Sequence, residues 1–123
     1  KAGHMGVMTG REEIILPTLM MGGNGTMSAL VGIVPEIMIE IYKAWQESHY
    51  DRAKELEFKV VELLTDLNAI PFPVGYKKAL DIRRFNMGNP VRPLSDKEKE
   101  SMAKREKSIR DKLNDILAES LNS

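Results

Sequence analysis

Few side chains in this chain are equipped for bond-making chemistry, and their spacing narrows the field further. There is no cysteine, which excludes disulfides and thiolate metal sites. The two histidines, His4 and His49, are too few for a metal site, and neither stands at a recognisable spacing from Ser28 to act as its base. Ser28 therefore reads as a small strand residue rather than a nucleophile. Gly22-Gly23-Asn24-Gly25-Thr26 has the glycine content of a phosphate-cradling loop. It lacks the lysine, however, and precedes a strand where a phosphate loop precedes a helix. Arg11-Glu12-Glu13 sets a cation and two carboxylates directly after a short apolar run, as the polar first turn of a helix does.

The elements that carry these residues follow from periodicity. Residues 6–9 form a short apolar strand closed by Thr9-Gly10, and Arg11 to Met21 predicts a helix whose Ile15–Leu19 and Leu16–Met20 pairs share one face. Pro17 falls inside that helix and predicts a kink or an unpaired carbonyl. After the glycine-rich turn, residues 26–30 read as a second buried strand ending near Gly32. Pro35 is placed to be the first residue of a helix carrying the stripe Ile37, Met38, Ile41, Tyr42 and Trp45 and stopping near Ser48. Asp51 is the expected cap of the next helix, whose inner face is Ala53, Leu56, Val60, Leu63, Leu64 and Leu67. Residues 70–73 make a stiff proline connector, residues 74–85 a further helix, and residues 86–94 a turn-rich loop. Ser95 and Glu98 have capping-box spacing ahead of a last, highly charged helix over 96–121 with a narrow apolar seam.

Two parallel strands do not make a sheet that can stand alone, because their outer edges present unpaired backbone groups. The sequence thus reads as part of a larger α/β fold: residues 6–34 hold the strand–helix units and residues 35–123 a helical region. Residues 1–5 look like the remnant of a cleaved tag. Eighteen basic and eighteen acidic side chains cancel, so no global field points to nucleic acid or a membrane surface. No apolar stretch is long enough to span a bilayer. The absence of cysteine is compatible with the cytoplasm, where the chain is expected.

The ordered set Thr9-Gly10-Arg11-Glu12-Glu13, Met21-Gly22-Gly23-Asn24-Gly25-Thr26-Met27-Ser28, Pro35, Ile70-Pro71-Phe72-Pro73-Val74-Gly75-Tyr76 and Gly88-Asn89-Pro90-Val91-Arg92-Pro93-Leu94 resembles the C-terminal part of the dihydrodipicolinate synthase / N-acetylneuraminate lyase family. The resemblance implies that residues 6–9 and 26–30 are the last two strands of a (β/α)8 barrel and that the rest is its last helix plus C-terminal helices. A complete barrel takes about 250 residues, so the other six strands are expected upstream. With them would lie the Schiff-base lysine, the proton-relaying tyrosine and the carboxylate-binding loop, leaving no catalytic residue in this chain. Lys43, Lys54, Lys59, Lys77 and Lys78 all fall on predicted helices, whereas such a lysine needs a desolvated barrel interior.

The expected activity is that of a pyruvate-condensing or pyruvate-releasing class I aldolase/lyase, first in lysine biosynthesis and alternatively as a 2-keto-3-deoxy sugar-acid aldolase. No cofactor or metal is expected. The expected partners are pyruvate or another 2-keto acid, an aldehyde and further copies of the subunit. By resemblance Gly10, Arg11, Glu12, Met27 and Ser28 are the substrate-side residues of this segment. Arg11 departs from an acidic pair of the sugar-acid lyases and could face an anionic group, and Gly32 stands where the family usually has Asn. Taken alone, the chain is expected to be inactive, and a non-catalytic helical module that self-associates through its strand edges is the other reading.

Overall fold

The computed structural model describes residues 5–121, with side chains through Glu119. The tag expectation for residues 1–4 lies outside the described residues. The chain is mostly helical with one small parallel sheet. In order it runs β1 (Met8–Thr9), a 3-10 turn (Glu12–Ile14), α1 (Ile15–Met20), β2 (Gly25–Thr26), a second 3-10 turn (Leu30–Gly32), α2 (Pro35–Gln46), α3 (Tyr50–Asn68), α4 (Val74–Ile82) and α5 (Asp96–Leu121). The two strands pair in parallel with Met8 opposite Gly25 and Thr9 opposite Thr26. Both are shorter than expected. The run 26–30 leaves the strand at Met27, because Leu30 enters the second 3-10 turn. A short buried apolar run has the same composition in a strand and in a turn packed into a core, so periodicity could not separate them.

The helix expected over residues 11–21 divides into the first 3-10 turn and α1. That break places Pro17 at the third residue of α1, within the first turn, where its missing N–H has no intrahelical acceptor to lose. Three helices then stop by one device. After α1, Gly22 is left-handed (φ 92°), and the N–H groups of Gly22 and Gly23 donate to the carbonyls of Leu19 (3.0 Å) and Thr18 (2.8 Å). After α2, Ser48 (φ 61°) and His49 donate to Trp45 and Ala44, and after α4, Arg84 (φ 68°) and Phe85 donate to Asp81 and Leu80. This paired closure of orphan carbonyls is the Schellman arrangement. It ends α4 at Ile82, three residues before the expected Phe85. α3 starts one residue ahead of Asp51, which lies in the first turn and pairs with Lys54 at 2.7 Å instead of capping.

α3 is the hub of the packing: α1, α2, α4, α5 and the first 3-10 turn all lie against it. Its inner face is the expected one, and the core joins it to Leu19, Leu30, Ile37, Ile41, Ile109, Leu113 and Ile116. Tyr42 and Trp45 of the α2 stripe stay at the margin, with ring centroids 5.6 Å apart. α5 buries its seam at Ile109, Leu113 and Ile116 and is tied to its neighbours by charged pairs on either side. Its N-terminus is closed by the capping box, with Ser95 N–H donating to Glu98 (2.7 Å) and Glu98 N–H to Ser95 Oγ (3.3 Å). Along its length Lys59 of α3 meets Asp115 at 2.8 Å and Glu119 at 2.6 Å, and Lys78 of α4 meets Glu106 at 2.9 Å. Among the described residues no helix is long and apolar enough to cross a membrane.

Candidate functional site

Parallel pairing puts the C-terminal ends of β1 and β2 side by side, so the residues that follow them meet at one place. Gly10, Arg11 and Glu12 follow β1; Met27 and Ser28 follow β2. The junction is held by the Thr9 carbonyl, which accepts both the Met27 N–H (2.9 Å) and the Thr26 hydroxyl (3.0 Å). At the opposite end of the strands Asn24 closes the pair, its N–H donating to the Val7 carbonyl and its side-chain oxygen accepting the Val7 N–H, both at 2.7 Å. The glycine-rich run between them is therefore spent on backbone structure. The amides of Gly22, Gly23 and Asn24 all point at carbonyls of this chain, and none is left to cradle a phosphate.

The five residues differ sharply in environment. Gly10 has open space where a side chain would stand. Arg11 reaches outward and is bound by Glu13, through Nε at 2.7 Å and through Nη2. That bond raises the Arg11 pKa and holds the Glu13 carboxyl below its ordinary range. Met27 is 76% exposed at the end of the sheet. Glu12 is only 7% exposed, and its Oε1 accepts the backbone N–H of Leu30 at 3.0 Å across the two strand ends. Ser28 Oγ is buried without a hydrogen-bond partner. A buried hydroxyl left unpaired costs about 1–3 kcal/mol, so it marks a place where stability has been given up.

Two charged residues that no motif or spacing singles out support this arrangement from the helical region. Glu57 of α3 accepts the Leu16 N–H at 2.8 Å, filling an orphan donor at the start of α1. Burial pushes its carboxyl above the ordinary range, only partly offset by the amides of Leu16 and Ile15. Arg83, the residue that closes α4, forks onto Glu36 of α2, at 3.0 and 2.6 Å, and also donates to the Ile33 carbonyl. Their only sequence signal is a charge on an otherwise polar helix face. The partners lie too far along the chain for spacing to reveal.

The lysines are engaged elsewhere. Lys43 and Lys54 are exposed beside Glu40 and Asp51, Lys77 donates to the Asn89 carbonyl, and Lys78 binds Glu106. Lys59 has its pKa raised by Asp115 and Glu119, the opposite of what an amine nucleophile requires. His49 lies exposed beside Glu47 at 3.3 Å. Among the described residues no three histidine or carboxylate side chains converge as a metal site would need.

Comparison with known proteins places these features. The chain is 31% identical over 90 residues to the 4-hydroxy-tetrahydrodipicolinate synthase of Methanopyrus kandleri, a match covering 73% of this chain and 30% of the relative. It is 33% identical over 103 residues to the synthase of that name from Methanospirillum hungatei, covering 84% of this chain and 35% of the relative. An uncharacterized DapA-like lyase of Thermofilum pendens is 37% identical over 90 residues, covering 72% of this chain and 29% of the relative. The chain thus spans about a third of the length of the curated relatives it matches. No solved structure matches it. The model of the dihydrodipicolinate synthetase family matches residues 2–112, nearly the whole chain, and the chain belongs to that family.

Proposed function

We propose that this chain is the C-terminal segment of a Schiff-base lyase that condenses or releases pyruvate, with 4-hydroxy-tetrahydrodipicolinate synthesis as the activity of the whole protein. In this reading β1 and β2 are the last two strands of a (β/α)8 barrel, and α2 to α5 are its last helix and C-terminal extension. The observation that carries the reading is a parallel strand pair, in a family member a third the length of its relatives, with its loop residues gathered at the strands' C-terminal ends. Barrel enzymes build their active sites at that end. Gly10, Arg11, Met27 and Ser28 form the rim there: Arg11 offers a cation to an anionic substrate group, and Ser28 a hydroxyl with bonding capacity unspent. Binding and orientation are what this segment supplies. The amine that forms the Schiff base comes from outside it, since each of the five lysines considered sits on a helix, and four of them are bound to carboxylates.

Borohydride trapping of pyruvate tests the division of labour. A polypeptide of the relatives' full length that includes this segment acquires a reduced pyruvyl adduct, and the 123-residue chain acquires none. An adduct on the short chain, or none on the long one, overturns the proposal. The bare outer edges of the strand pair and the exposed Met8 and Met27 favour a second reading for the chain by itself, association of copies through those edges. Light scattering that finds only monomer removes it.

A further inference from the structure

The second 3-10 turn, Leu30–Gly32, follows directly on Met27 and Ser28; its first residue Leu30 and the Ile33 and Val34 that follow it are each at most 1% exposed, while Gly32 faces solvent. A single turn leaves its first N–H and last C=O without internal partners, and at the buried Leu30 and Ile33 water has little access to supply them. Inside the turn Ile33 and Val34 both donate to the Leu30 carbonyl at 2.9 Å, and Gly32 donates to Ala29 at 3.2 Å. The leading Leu30 N–H and the trailing Ile33 carbonyl are left over. Each is met by a charged side chain from a distant element. Glu12, after β1, accepts the Leu30 N–H at 3.0 Å, and Arg83, at the end of α4, donates to the Ile33 carbonyl. The signs match the polarity of the turn, an anion at its amino end and a cation at its carboxyl end. Arg83 is itself aimed by Glu36, which holds the guanidinium as a fork.

We infer that Glu12 and Arg83 are positioning residues for the rim: they clamp the turn behind Met27 and Ser28 from both ends and so fix where β2 delivers those residues. Glu12 acts through the Leu30 amide rather than on substrate. Through Arg83 the C-terminal helical region, which touches none of the rim residues by hydrogen bond, sets the rim's geometry. The functional half of this inference rests on the rim reading proposed above; the clamp itself does not.

Amide hydrogen exchange on the 123-residue chain measures the clamp without any enzymatic activity. Substitution E12L speeds exchange of the Leu30 amide and its neighbours over residues 27–34 about tenfold, as expected for loss of one buried bond to a carboxylate. E12Q keeps an acceptor oxygen and stays within about threefold of the parent. R83L loosens the same stretch from its other end, R83K restores only part, and Leu63 and Leu113 keep their protection in all four variants. An unchanged Leu30 amide in E12L, or loosening that spreads equally to Leu63, overturns the clamp. In the full-length polypeptide kcat/KM follows the exchange order, low in E12L and recovered in E12Q. An E12Q variant as impaired as E12L, with its amides intact, shows instead that the carboxylate itself contacts substrate and overturns the positioning role. A full-length parent that traps no pyruvate refutes the proposed function and leaves the exchange result standing.

Discussion

Removing the carboxylate of Asp66 should detach much of α5 from α3, and the structure supplies the magnitude. Asp66 is 6% exposed in the middle of the helix pair. Its Oδ1 accepts from Arg105 at 2.9 Å, and its Oδ2 accepts from Ser108 Oγ at 2.5 Å and Lys112 at 2.7 Å. Hydrogen bonds to a charged group contribute about 1.5–3 kcal/mol each. Simple addition overshoots, because the side chains of Arg105 and Lys112 are 39% and 29% exposed and regain water once released. A net loss of about 2–3 kcal/mol for Asp66→Ala follows, and about 1–2 kcal/mol for Asp66→Asn, which keeps the shape and one acceptor. Burial pushes the Asp66 pKa up, but the bonds from Lys112, Ser108 and Arg105 outweigh it and hold the group below its ordinary 3.8. A carboxyl depressed in the folded state stabilises above its unfolded pKa and loses that contribution as pH falls through the folded value. The gap between parent and Asp66→Ala is therefore constant down to about pH 5 and narrows as the pH falls below 3.8. Urea unfolding followed by the single tryptophan, Trp45, gives both quantities. A cost under about 0.5 kcal/mol, or one that is unchanged in acid, would refute the argument.

Ser28→Ala should leave the chain as stable as the parent or raise it by up to about 1 kcal/mol, since it removes a buried hydroxyl that has no partner; a thermal melt that drops by several degrees would mean that the hydroxyl is paired after all. Gly75→Ala should cost about 1–2 kcal/mol despite alanine's better helix propensity, because its Cβ would collide with the Leu67 carbonyl oxygen where α4 crosses the end of α3; denaturant midpoints of the two chains decide it.

What the sequence made legible was local. Pro35 at the head of α2 and the Ser95–Glu98 box at the head of α5 stand where expected, because each signal acts over three or four residues. The inner face of α3 was readable for the same reason, since helical periodicity needs no partner to be seen. The end of α2 near Ser48 stands where expected, but the end of α4 falls three residues early, because its left-handed position goes to Arg84, a residue that carries none of glycine's signal. Pro17 misled in the opposite way: a breaker inside a long helix became harmless once the helix began later. For the candidate site, Gly10 to Glu12 and Met27 to Ser28 were named through family resemblance. The burial of Glu12 and the reach of Arg83 and Glu57 were not readable, because bonds spanning 18, 50 and 41 residues leave no periodic trace.

The sheet is fringed by thioethers: Met5, Met8, Met20, Met21 and Met27 are all exposed, while Met38 alone is buried in the core. Methionine has three rotatable bonds and a polarizable sulfur, so it fills irregular gaps instead of demanding one fitted shape. A seam lined this way can adapt to more than one facing shape. The same sulfurs make the seam vulnerable to oxidants, because each sulfoxide turns a pliable apolar contact into a polar, chiral one. Adaptability and chemical fragility are thus one property of this fringe.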